Sequence, residues 1–189
     1  SQVLYVKGPL DKEKVEKTFH TLIRRHESFR TSFPVIGDQP VQQIHESVPF
    51  QLEYYQATAG EAPALVESFI RPFDLSKAPL LRAGLIKLDT NLHIWMLDMH
   101  HTIYDGTSMV LFIKGFLTLY NGEDQLPPLP LQYKDYSHWF YSPEGQETMQ
   151  QQHRCASTAC AAPCASLVST CRPARSMRSS KLPGIWTRC

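Results

Sequence analysis

No cysteine occurs in residues 1–154 of this 189-residue chain, and no Asp or Glu occurs in residues 154–189. The first absence removes thiolate from any metal site in the body of the chain. No apolar run approaches the ~18 residues of a membrane span. Neither sign of charge dominates, and a formal net charge of +1 gives no electrostatic ground for nucleic acid or an anionic membrane as partner. The start, SQVLYVKGPL, has no initiator Met and no signal-peptide layout, so the chain is expected to be an internal part of something longer and cytoplasmic. What remains is ordinary for one domain or one lobe of a larger one, with 42% hydrophobic residues, enough for a sizeable core.

The even totals hide two unlike parts. All five cysteines, Cys155, Cys160, Cys164, Cys171 and Cys189, lie in the last 35 residues. Residues 154–189 also hold six bases, which leaves 13 Lys and Arg against 18 Asp and Glu in residues 1–153, a charge of −5. We therefore expect residues 1–152 to form the folded lobe. Residues 153–189 are expected to form an irregular or disordered tail rich in Cys, Arg, Ser and Ala.

Periodicity in the body alternates between strand and helix. Gln2–Val6 reads as a short strand ending at Gly8-Pro9. Val15, Phe19, Leu22 and Ile23 make one apolar stripe on a helix that Asp11 can cap. Phe29–Val35 and Val41–Ile44 read as strands around a Gly37-Asp38 turn, and Gln51–Tyr55 as another. A helix over Ala62–Ile70 stops before Pro72. Leu80–Leu88 and Leu92–Met99 follow as strands, the second apolar enough to be covered on both faces. Met109–Tyr120 is apolar nearly all round, as a helix buried on most sides would be, and Asn121-Gly122 closes it. A Pro-rich connection leads to two short helices, in YKDYSHWFYS and PEGQETMQQQH.

Between the buried strand and the apolar helix lies MHHTIYDGTS, Met99 to Ser108. A loop between rigid elements holds side chains in place and leaves them accessible. His101 suits a general base, because an imidazole in water titrates at about 6.5. Asp105, if buried, needs a partner such as an arginine. Gly106 lets a substrate approach the backbone near free helical N–H groups. On spacing alone the histidines serve equally well as ordinary hydrogen-bonding groups. A metal site is disfavoured, since adjacent residues on extended chain face opposite ways and no further ligand is near.

Taken with other segments, the loop resembles the His-His-x-x-x-Asp-Gly signature of condensation domains of non-ribosomal peptide synthetases. RRHESFRTSF, Arg24 to Phe33, is similar to the family's Arg-His-Glu-x-Leu-Arg-Thr-x-Phe motif, with Phe29 in place of Leu. YKDYSHWF, Tyr133 to Phe140, resembles Tyr-x-Asp-Tyr/Phe-x-x-Trp, and Arg71 to Leu88 resembles the segment between them. The resemblance implies an α/β, chloramphenicol acetyltransferase-like N-terminal lobe of α+β two-layer build, facing a second condensation lobe across a tunnel.

It also implies amide-bond formation between a donor acyl or peptidyl thioester and an acceptor amine. Both would be tethered to phosphopantetheine on carrier-protein domains, beside an adenylation domain, with no cofactor and no metal bound by the lobe itself. His101 is then the catalytic residue, with His100, Asp105 and Gly106 completing the turn. Arg25 is expected to hold Asp105, and Arg30 is a second supporting candidate. Tyr133, Asp135 and Trp139 are expected in packing. His20, His26, His45, His93, His138 and His153 receive no role. The ending Asp-Gly-Thr-Ser implies an L-configured donor, and His101 with Gly106 argues against epimerisation or heterocyclisation. A stand-alone acyltransferase using coenzyme A and a non-catalytic docking module are the rival readings.

After about Gln152 the resemblance stops. A zinc module, a native disordered extension and a reading-frame shift are the three accounts of the tail, the last favoured by the abrupt change of composition. The chain alone is expected to have little condensation activity, because the second lobe would supply much of the tunnel.

Overall fold

The structure is a computed structural model and describes residues 1–122 and 126–161. Two compact units are present, residues 1–137 and the residues from 138 onward.

In the first unit, β1 (Gln2–Lys7) turns at Gly8, whose φ of 111° suits only glycine, into α1 (Lys12–Arg25). Asp11 caps α1, accepting a hydrogen bond from the Lys14 N–H at 3.1 Å. The predicted stripe is the buried one: Val15, Phe19, Leu22 and Ile23 are all in the core. Residues 27–30 then form a 3-10 turn, so the strand expected from Phe29 starts later, as β2 (Thr31–Ser32). Two contacts hold the chain in this turn. Phe29 meets Phe112 edge-on at 5.6 Å, and Arg30 Nε donates to the Ile23 carbonyl at 3.2 Å, a carbonyl at the end of α1.

A small hairpin of β3 (Val35–Ile36) and β4 (Gln39–Pro40) turns at Gly37 and Asp38, with φ of 58° and 64°. β5 (Gln43–Ile44) returns antiparallel to β2. Then come β6 (Glu53–Gln56), α2 (Ala62–Phe69), β7 (Leu81–Asp89), β8 (Leu92–Met99) and α3 (Gly106–Tyr120). The main sheet has the order β1-β8-β7-β6, antiparallel except where β6 runs parallel to β7.

Side-chain alternation in β7 and β8 divides the core. Ala83, Leu85, Trp95, Leu97 and Met99 join Phe19, Phe112 and Phe116 in one cluster with α1 and α3. Ile86, Ile94 and Met96 join Ala62 and Phe69 of α2 in a second. The sheet thus carries a thick helical layer on one face and a thin one on the other, which adds α2 to the two layers expected. As expected of a strand covered on both faces, β8 is buried from His93 to Met99, and Leu92 alone is partly exposed.

The helix expected to be buried on most sides is not. Only Phe112 and Phe116 of α3 are buried, while Val110, Leu111 and Leu117 are 55%, 63% and 51% exposed. A helix apolar all round carries no pattern that selects its buried face, and here α1 and the sheet cover one stripe.

The boundary between the units falls inside α4 (Tyr133–Tyr141), and α5 (Pro143–Ala161) follows. Ser142 joins the two helices, its Oγ donating to the Trp139 carbonyl at 2.6 Å and accepting from the Gly145 N–H at 3.1 Å. Helical backbone therefore continues past residue 152 to Ala161, through a stretch whose alanines favour helix. The readings of the tail beyond that point fall outside the described residues. No described helix is long and apolar enough to cross a membrane.

Candidate active site

The loop after β8 is a tight turn. The Ile103 N–H donates to the His100 carbonyl at 3.1 Å, so His101 and Thr102 occupy its corners. Ile103 is 7% exposed and anchors the turn in the core. His100 is tied at its start by its N–H, which donates to the Leu80 carbonyl at 3.0 Å.

The two histidines have different surroundings. The ring of His100 lies edge-on to Phe73 at 6.2 Å, and its Nδ1 is 2.9 Å from Thr102 Oγ1. The Thr102 N–H, which can only donate, also reaches Nδ1 at 3.3 Å. Nδ1 is therefore an acceptor, and neutral His100 carries its proton on Nε2. His101 is exposed, its ring packed against Tyr104 at 5.1 Å and hydrogen-bonded to no described residue.

Asp105 does not pair with Arg25. It is exposed and is the N-cap of α3, its Oδ1 accepting from the Ser108 N–H at 2.7 Å and from Ser108 Oγ at 2.6 Å. These bonds to Ser108, first from its hydroxyl and then from its N–H, hold the Asp105 carboxyl below its usual range. Arg25 instead donates to the backbone carbonyls of Leu126 and Pro127. The expected pairing requires a buried Asp105. At an exposed helix start the carboxylate is satisfied locally, and Asp-x-x-Ser ahead of an apolar run is the legible signal. Gly106 is the first residue of α3, and a Cβ built there would meet nothing within 4 Å. The approach to the helix start is open.

Arg30 also binds backbone, donating to the carbonyls of Ile23, His45 and Glu46. Neither arginine is hydrogen-bonded to the His-His turn. Their segment does meet the third motif, however. The Glu27 N–H donates to Gln132 Oε1 at 3.2 Å, Gln132 Nε2 donates to the Arg25 carbonyl at 3.0 Å, and Lys134 Nζ pairs with Glu27 Oε1 at 2.7 Å. Asp135 reaches back to the Gln132 N–H at 2.8 Å, capping α4. Tyr133, expected in packing, is 61% exposed. Trp139 is half-buried.

A cavity of about 110 Å³ lies beside the turn, lined by Ser28, Thr31, Phe33, Gln42, Thr102, Ile103, Ser108 and Tyr133. Periodicity could not have shown it, because its walls come from four separate stretches. Among the described residues no group of three or more His, Cys, Asp and Glu could hold a metal ion.

The family model described as condensation domain matches residues 1–172. Similar proteins include tyrocidine synthase 3 of Brevibacillus parabrevis, 46% identical over 136 residues, which is 72% of this chain and 2% of that protein. Bacitracin synthase 2 of Bacillus licheniformis is 46% identical over 147 residues, 78% of this chain and 6% of that protein. The chain thus spans a small fraction of these relatives' length. Among solved structures, the X-domain from teicoplanin biosynthesis is 28% identical with a TM-score of 0.67, over 80% of this chain and 34% of that one. The condensation domain of the monacolin K polyketide synthase MokA shares the fold, with a TM-score of 0.69 at 20% identity over 84% of this chain and 36% of that one.

Proposed function

This chain belongs to the condensation-domain family, and we propose that it forms the His-bearing lobe of an enzyme joining two thioester-borne substrates through an amide bond. The substrates are a donor acyl or peptidyl thioester and an acceptor aminoacyl thioester. Both arrive on phosphopantetheine arms of carrier domains in a multimodular synthetase. The observation that carries this reading is the exposed imidazole of His101, hydrogen-bonded to no described residue and held at the corner of a turn whose two ends are fixed.

The chemistry asks little of the base. An α-ammonium loses its proton with a pKa near 8, so a free amine is accessible at neutral pH. Its nitrogen attacks the thioester carbonyl, and the C–S bond breaks as the tetrahedral intermediate collapses. The thiolate leaves on the donor's phosphopantetheine, and the proton lost from nitrogen ends on that sulfur. His101 takes that proton in passing, or positions the amine by a hydrogen bond. His100, pinned by Thr102 and Phe73, shapes the turn and supplies no base of its own.

In the synthetase that contains this lobe, His101→Ala is expected to cut product formation by about 10²- to 10⁴-fold, measured with both carrier domains loaded. An unchanged rate would overturn the assignment. Unaltered carrier-domain binding with no activity in either form would favour the docking-module reading.

A further inference from the structure

The cavity beside the His-His turn is built from three of the motif segments and one residue outside them. Ser28, Thr31 and Phe33 come from the stretch after α1, Thr102, Ile103 and Ser108 from the turn and the start of α3, and Tyr133 from the start of α4. Gln42 enters from the residue before β5.

Its polar groups are unequally used. Thr31 Oγ1 donates to the Glu27 carbonyl at 2.8 Å, and Ser108 Oγ donates to Asp105. The hydroxyl of Ser28, the carboxamide of Gln42 and the hydroxyl of Tyr133 have no hydrogen-bond partner among the described residues. Ser28 and Gln42 are half-buried, and their polar atoms are available to a bound group. No charged residue lines the space, and Phe33 and Ile103 give it an apolar wall. Ser28, Thr102 and Ile103 also stand at positions the two motifs leave open, so the lining can differ between chains that share the motifs.

We propose that this cavity is a subsite for the side chain of one of the two residues being joined, selective for a small neutral hydrogen-bonding side chain. The proposal rests on the condensation reading, since it takes the ligand from that reaction. The size fits. At about 110 Å³ the cavity has room for several water-sized groups, so it admits a Ser, Thr or Asn side chain. Gln42 and Ser28 offer both donors and acceptors, which matches a hydroxyl or a carboxamide. Charged side chains would lose hydration without gaining an opposite charge. Thr102 links the subsite to the site of chemistry. It lines the cavity, bonds His100, and is the next residue after His101.

The test is binding by the 189-residue chain, followed through its backbone amide NMR signals with amino-acid amides as probes. L-Threoninamide is expected to shift the signals of Thr102, Ile103 and Ser108. Its isostere L-valinamide, which lacks the hydroxyl, is expected to bind at least about tenfold more weakly. Gln42→Leu should abolish most of the difference between the two probes, and Ser28→Ala serves as a second variant if the first disturbs the rest of the spectrum. Equal binding of both amides, or shifts confined to other residues, would overturn the subsite. Because the readout is binding, a negative result leaves His101 and the amide-forming reaction untouched, and an inactive His101→Ala enzyme leaves the subsite untouched.

Discussion

Asp105 is held by its own helix. The carboxylate accepts two hydrogen bonds from Ser108 and none from Arg25, whose guanidinium is occupied by carbonyls of residues 126 and 127. Asp105→Ala should therefore cost about 1 kcal/mol, the usual worth of a helix cap, in a urea titration. In a double-mutant cycle with Arg25→Ala the coupling should stay below about 0.5 kcal/mol, as for residues that share no partner. A coupling of several times that size would restore the ion pair. His26 makes a second separable case. Burial, and then the neighbouring Arg25 charge, lower its pKa from 6.5 to about 4. Between those values the unfolded chain binds a proton that the folded chain refuses. Stability is therefore undiminished above about pH 6.5 and falls as the pH drops toward 4. Comparing urea melts at about pH 7 and pH 4.5, the wild-type chain should lose about 2 kcal/mol more than His26→Gln.

α2 packs closely on the sheet at Gly84. A Cβ on Gly84 of β7 would come within 2.6 Å of the Met96 methyl and 3.0 Å of the Phe69 ring. Met96 can swing, but Phe69 is 1% exposed and closed in by its own cluster. Gly84→Ala should destabilise the chain by about 1–3 kcal/mol, as overpacking does, and the loss should show in the denaturation midpoint. On the opposite face, Phe19 ties the layer together, with Phe50, Trp95, Phe112 and Phe116 all within 6.3 Å by ring centroid. That aromatic group fixes α1 against α3 and so sets where the turn after β8 ends.

Taken as a molecule, the first unit is a sheet with helices on both faces and the His-His turn at the end of its most buried strand. Three segments more than about a hundred residues apart at their extremes come together around that turn. The Arg-His-Glu stretch is bonded to Gln132 and Lys134 on either side of Tyr133, and Tyr133 in turn borders the cavity that the turn lines. A motif of this kind is a set of contacts as much as a set of catalytic groups. For that reason the loop's meaning depends on the other two segments.

Local periodicity and capping are enough for α1, its Asp11 cap, the paired strands before the turn, and the glycine turn at Gly37, because each is set by neighbours within a few residues. The exposed position of His101 also follows from a loop between a buried strand and a helix. What pairs with Asp105, which face of α3 is covered, and where Arg25 and Tyr133 point depend on groups brought from far along the chain. An arginine beside a histidine reads the same whether it meets a carboxylate or a carbonyl. The choice is made by which desolvated group the packing of distant elements leaves within its reach.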